Sequence, residues 1–271
     1  MGIISSIEEI LIAFTLLALL MYRFTARKLN TPEAKHDFTL RYLLWPAVAL
    51  VVLDIGETLT YNGTRLFTEN VPHYNFGTAL DAALPIIPFF IVFYLLAYAV
   101  LVFAPFYLAW VGDRELVKRY ILALSILFAI SSVIYLVAPN DVPHAWSPDV
   151  YAQHTGIFDR LLEFMYNSDA ASNGLPSLHN AHIWLPFFLI IFTDRSGRKA
   201  AHALPVAVLG VLISLATLFC KEHYIVDVVF SISLVAGIAW LSTQVLWRHE
   251  ATGPELPADT REREPTPRQT R

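Results

Sequence analysis

Seven apolar stretches, each close to the ~17–25 residues that a helix needs to cross a bilayer, constrain this chain more than any other feature. They lie near Ile3–Tyr22, Tyr42–Tyr61, Leu84–Trp110, Tyr120–Val137, Leu178–Thr193, Ala203–Phe219 and Tyr224–Trp247. Hydrocarbon offers backbone N–H and C=O groups no partners, so such stretches must close their own hydrogen bonds as helices. Composition agrees: 56% of the 271 residues are hydrophobic and only 15% are charged, against about 25% charged in soluble domains. The fold class is therefore all-α, a polytopic membrane bundle of about seven transmembrane helices. The third stretch carries Pro85, Pro88 and Pro105, which predicts a kink or a frayed end. The fifth is short and contains Pro186. The first lacks the basic flank and small-residue cleavage site of a signal peptide, and reads as a retained span. Residues 1–248 then form one transmembrane domain. Residues 249–271 mix Pro, Glu, Asp, Thr and Arg without apolar periodicity, and are predicted to be a disordered cytoplasmic tail.

Lys and Arg orient the bundle. The first loop holds Arg23, Arg27, Lys28, Lys35 and Arg41; the third holds Arg114, Lys118 and Arg119; the fifth holds Arg195, Arg198 and Lys199; the tail holds Arg248, Arg261, Arg263, Arg268 and Arg271. These are 16 of the 19 basic residues, and only Arg65, Arg160 and Lys221 fall on the other side. Positive charge stays in the cytoplasm, which predicts an outward N-terminus, a cytoplasmic C-terminus and residence in the cell membrane. The two longer loops, Asn62–Ala83 and Ala138–Ser177, then lie outside. The second is rich in Asp, His, Pro, Trp and Tyr, and is expected to form a lid or short interfacial helices. A net charge of −4 gives no sign of nucleic-acid binding, and the lone Cys220 excludes an internal disulfide and reads as a small packing residue.

Two polar patterns stand where outward-facing apolar helices begin, and polar groups at such positions need a reason to exist. The first is Gly174-Leu175-Pro176-Ser177-Leu178-His179; the second is Lys221-Glu222-His223-Tyr224-Ile225-Val226-Asp227. Ser177 is a natural helix N-cap, and the free N–H groups behind it suit a phosphate oxygen. His223 and Asp227 are four apart, which predicts one helical face, with the carboxylate holding one ring nitrogen and freeing the other. Lys221 adds positive charge beside them. A nucleophile, an orienting carboxylate and a proton donor are what phosphoryl transfer through a phosphohistidine requires.

These residues resemble the phosphatidic acid phosphatase type 2 superfamily, which combines a Pro-Ser-x-His pattern opening one span with His-x-x-x-Asp opening the next but one. Pro176-Ser177-Leu178-His179 and His223 through Asp227 meet both. The resemblance covers the last four spans best and implies a six-helix phosphatase core in the C-terminal part. It also implies His223 as nucleophile, Asp227 as its orienting acid and His179 as the proton donor to the leaving group. It implies no metal or other cofactor; the partners it implies are a membrane lipid substrate and the bilayer itself. The family's Lys-x6-Arg-Pro pattern is missing, and Thr217 stands where an arginine usually precedes the nucleophile by six residues. Lys221-x-His223-Tyr224, with Asp81-x-x-Leu84-Pro85-x-x-Pro88 and Tyr94, is similar instead to the inositol phosphorylceramide synthase branch, whose members move phospho-head groups between sphingolipids and phospholipids. By the same resemblance His144, after Pro139 and Pro143, stands where an arginine would contact phosphate.

Asp54, Glu57 and Asp81 are further substrate-binding candidates near the outer ends of spans, either gripping hydroxyls of a polyol head group or reaching interfacial water. His182 forms His-x-x-His with His179, but the implied mechanism needs no metal, so a supporting role is expected. An N-terminal Met-Gly-x-x-x-Ser pattern and Asn62-Gly63-Thr64 read as chance matches for an outward terminus and outside a secretory pathway. The sequence thus predicts a lipid phosphatase or head-group transferase acting at the extracytoplasmic face. The alternatives are a transporter or scaffold that kept the fold and lost the chemistry, and a vanadium haloperoxidase, whose site resembles this one.

Overall fold

Proline rules and threonine side chains set the helix boundaries. The structure is a computed structural model that describes residues 32–112, 114–142, 156–168, 172–193 and 197–251. The expected span Ile3–Tyr22 and the tail beyond 251 lie outside these residues. Among those described there are five helices long and apolar enough to cross a membrane and one shorter apolar helix. We number the helices α1 (His36–Thr68), α2 (Ala79–Ala83), α3 (Pro88–Val111), α4 (Arg114–Val137), α5 (Ile157–Ser168), α6 (Leu178–Thr193), α7 (Lys199–Phe219) and α8 (Ile225–Ala251).

Two boundaries differ from the sequence expectation. The helix α1 outruns Tyr42–Tyr61 because Thr60, Thr64 and Thr68 are buried along one side. Thr64 and Thr68 donate their hydroxyls to the carbonyls four residues back, and Ser132 of α4 donates to Thr60 Oγ1 at 3.0 Å. Polar side chains with helical and cross-helix partners continue a span that hydropathy alone ends early. The helix α3 starts at Pro88 rather than Leu84. Leu84 precedes Pro85 and takes ψ 133°, Ile87 precedes Pro88 and takes ψ 91°, and the pre-proline position disfavours the helical region. Pro88 itself opens the helix, where its missing N–H costs nothing. Pro105 sits inside it.

The 16-residue helix α6 is the hub. At 1.5 Å per residue it is about 24 Å long, less than the ~30 Å hydrocarbon core. It tolerates this because it packs against α3, α4, α7 and α8, burying Ala181, Ile183, Leu185, Leu189 and Ile190. Close approach is bought with glycine: a Cβ on Gly210 of α7 would lie 2.9 Å from Trp184 of α6, and one on Gly56 of α1 would overlap Phe128 of α4.

The bundle has two distinct ends. At one, Arg41 donates to the carbonyls of Ala109 and Gly112, neutralising the C-terminus of α3, and Lys118 lies 4.9 Å over the Trp45 ring. At the other, α1 and α4 end while α6 and α8 begin, and both histidine patterns are found there. The amphipathic α5 covers part of that end, with Leu162, Met165 and Tyr166 buried and Phe158 edge-on to Phe89 at 5.3 Å. A short helix in the Ala138–Ser177 segment was expected, and α5 is one. Cys220 is buried in the same cluster, as expected of a packing residue.

Candidate active site

His223 sits in a turn, not on a helix. Where α7 stops, Lys221 takes a left-handed φ of 56°. The chain doubles back so that the Thr217 carbonyl accepts from Glu222 N at 3.0 Å and His223 N at 3.1 Å. Asp227 then caps α8, accepting from Tyr224 N at 2.8 Å on Oδ2. The same oxygen lies 3.5 Å from His223 Nδ1. The expected pairing across one helical face is therefore corrected: α8 begins at Ile225, and the carboxylate meets the ring by reaching back over its own N-terminus. Both side chains are secluded, at 8% and 1% exposure. Among the described residues Nδ1 is buried and makes no hydrogen bond, so the Asp227 carboxylate at 3.5 Å is the ion-pair partner it faces.

His179 enters from the neighbouring helix. Ser177 Oγ accepts from Asn180 N at 3.4 Å, the N-cap geometry expected for α6. Two residues past this cap, the His179 ring lies 5.9 Å from that of His223, centroid to centroid. Tyr94 and Tyr98 of α3 pack on its other sides at 4.6 and 5.5 Å.

The loop that delivers His179 runs through the bundle interior, where irregular backbone survives only if its polar groups find protein partners. Asn140 supplies most of them. Its Oδ1 accepts from Leu175 N at 2.8 Å, its Nδ2 donates to Leu175 O, and its carbonyl accepts from Asn173 N. Asn173, at φ 62°, donates through Nδ2 to Tyr61 O and Thr64 Oγ1. Tyr61 lies in a π-helical segment, Thr58–Gly63, whose shifted bonding turns that carbonyl toward the loop. Tyr135 donates its hydroxyl to Pro176 O at 2.6 Å. Gly174 has no space for a Cβ, which would lie 2.4 Å from Val142 and 3.3 Å from Asp227 Oδ2. The two histidine patterns thus touch through Gly174 as well as through their rings.

A cleft of about 610 Å³ opens beside His223, lined among others by Asn75, Thr78, Asp81, Leu84, Lys221 and Tyr224. Asp81 is buried and occupied: Oδ2 accepts from the Thr78 amide and hydroxyl, and Oδ1 accepts from Ile225 N at 2.8 Å. Burial works against its charge, but these donors outweigh it and hold the carboxyl below the ordinary value. It ties α2 to the start of α8. Lys221 donates to the Asp81 carbonyl, and burial lowers the pKa of its ammonium despite the Asp81 charge.

The remaining sequence candidates fall elsewhere. Glu57 lies 3.6 Å from His182 Nε2, one turn along α6 from His179, and the two form a pair away from the cleft lining. Asp54 is also outside the lining, and Ser177 is fully buried behind His179. His144 lies outside the described residues. Thr217, in the arginine position, is fully buried and accepts from Asn180 Nδ2 at 3.1 Å. Sequence reasoning missed Asn140, Asn173 and Asn180. Asn180 carried a signal, being an amide inside an apolar span and next to His179.

Comparison with curated proteins and with solved structures gave no match. A family model described as the PAP2 superfamily matches residues 70–241, which span the cleft, both histidine patterns and helices α3 to α7 with most of α8. A match over more than half of the chain, enclosing this geometry, places the protein in the PAP2 superfamily.

Proposed function

We propose that this chain transfers a phosphoryl group from a lipid phosphoester by way of a phosphohistidine on His223. The supporting observation is the pair of imidazoles 5.9 Å apart at one end of the bundle, with Asp227 behind one of them and the cleft in front. Nε2 of His223 attacks phosphorus as the phosphorus–oxygen bond to the leaving group breaks, and His179 gives that oxygen a proton. In the second half the P–N bond breaks as an acceptor oxygen attacks, its proton passing to His179. Asp227 stabilises the imidazolium formed at His223. The proton that His179 gives to the leaving oxygen in the first half is returned by the acceptor in the second, and the acceptor oxygen's lone pair forms the new P–O bond, so the cycle balances.

The finer reading is transfer of a phospho-head group to a lipid hydroxyl. Asp81, Leu84, Lys221 and Tyr224, which carry the similarity to the inositol phosphorylceramide synthase branch, line the same cleft as His223. Purified protein incubated in EDTA with a panel of lipid phosphates and phosphodiesters, with and without a lipid hydroxyl acceptor, tests both levels by mass spectrometry of products. Transfer should dominate when the acceptor is present. Free phosphate or free phospho-head group as the sole product returns the enzyme to a lipid phosphatase. No turnover of any member of the panel favours an inactive transporter or scaffold.

The site is proposed to face the extracytoplasmic side, because the opposite end carries Arg41, Arg114 and Lys118. A cysteine at exposed Glu69 should react with an impermeant maleimide on intact cells, Cys220 being buried. Labelling that needs permeabilised cells reverses the orientation.

A further inference from the structure

We propose that Asn180 is the positioning residue that fixes the spacing between the two histidines, an inference that rests on the phosphohistidine reading above. Its side chain is fully buried and makes three hydrogen bonds. Nδ2 donates to Ser177 Oγ at 3.0 Å and to Thr217 Oγ1 at 3.1 Å, and Oδ1 accepts from Ser214 Oγ at 2.6 Å. Both amide protons are thereby used. Ser177 is the cap of α6, two residues before His179, while Ser214 and Thr217 belong to the last turns of α7.

The far side of this bridge leads directly to the nucleophile. Thr217 donates its hydroxyl to Ser214 O at 2.9 Å, and its carbonyl holds the His223 amide at 3.1 Å. Trp184 Nε1, a turn further along α6, donates to Ser214 Oγ at 3.0 Å, so the hydroxyl that feeds Asn180 is itself held in place. One amide therefore indexes the first turn of α6, with His179, against the last turn of α7 and the reversal that presents His223. Nothing else described here joins the cap of α6 to Thr217. A fully satisfied buried network of this kind specifies one arrangement, and removing its centre orphans several groups at once. Ring positions at a reacting phosphorus tolerate little error, a displacement near 1 Å costing about 10²-fold.

The test uses the full chain and compares Asn180→Ala, Thr217→Val, the double variant and Thr217→Ser. Turnover of a lipid phosphate and equilibrium binding of inorganic vanadate are both measured. Each of the first two substitutions should lower kcat about 10²-fold with KM within a few-fold. The double variant should be no worse than the worse single, because both cut one bridge. Thr217→Ser, which keeps the hydroxyl, should recover most of the loss. Vanadate binding, which needs the paired histidines but no turnover, should weaken in step with kcat. Parental kcat and vanadate affinity in folded Asn180→Ala, or additive losses in the double variant, overturn the proposal. If Asn180→Ala does not fold, the contrast between Thr217→Val and Thr217→Ser decides alone, and equal kcat in those two overturns it. A parental chain that neither turns over nor binds vanadate defeats the phosphohistidine reading itself, and the spacing role falls with it.

Discussion

Replacing His223 by alanine should reduce turnover by about 10⁴-fold or more while leaving the protein folded, since removing a covalent nucleophile commonly has effects of that order or larger. The fold should survive because the residue's structural contribution is its main chain: the hydrogen bond from its N–H to the Thr217 carbonyl persists in alanine. The lost ring faces His179, Asp227 and the cleft. Asp227 is a poorer probe, because it also caps α8 through Tyr224 N, so its removal mixes helix stability with catalysis. The measurement is kcat for the preferred lipid phosphate, paired with trapping of the phosphorylated enzyme by an alkaline denaturing quench. Parental protein should yield an acid-labile, base-stable adduct that vanadate prevents from forming, and His223→Ala should yield none. Turnover by the variant within several-fold of the parent would remove His223 as nucleophile.

The candidate pair was legible in the sequence because a membrane makes polar residues conspicuous. His179 and His223 stand at the mouths of apolar runs, and the spacing to Ser177 and Asp227 carries its own capping logic. The mode of pairing was not legible. Four residues apart suggested a helical face, yet the left-handed Lys221 and the cap on Tyr224 put His223 ahead of α8. Local spacing does not say where a helix starts, and two geometries satisfy it. The scaffold around the pair was hidden for a different reason. Asn140 and Asn173 act on residues 35 and 109 to 112 positions away, and no local pattern encodes such partners. Asp81, a carboxylate before a proline-rich helix start, lines the cleft, and its oxygens also serve Thr78 and Ile225, the second a tie that no local pattern encodes. Glu57, expected either to grip a polyol hydroxyl or to reach interfacial water, lies 3.6 Å from His182 once the chain folds.

Replacing His179 by alanine should impair the enzyme selectively, according to what leaves. Proton donation by a positioned side chain is worth about 10²–10⁴-fold when the departing group is a poor one. A lipid alkoxide is such a group, whereas a phenolate, whose conjugate acid has a pKa near 10, leaves with far less help. Turnover of an alkyl lipid phosphate should therefore fall by about 10³-fold in His179→Ala, while hydrolysis of a matched aryl phosphate should fall by about tenfold or less in the first, phosphohistidine-forming step. The geometry supports this division of labour. Among the described residues, His179 sits between Tyr94, Tyr98 and His223 and no carboxylate is paired with it, whereas His223 has Asp227 3.5 Å away. Alanine is also well tolerated in the first turn of α6, and Asn180 keeps the cap tied to α7 beside it. Single-turnover burst rates on the two substrates give the ratio directly. Equal losses on alkyl and aryl substrates would mean that His179 supports the site's shape or binds phosphate, and would leave the leaving-group proton to another donor, with Lys221 in the cleft as the first candidate.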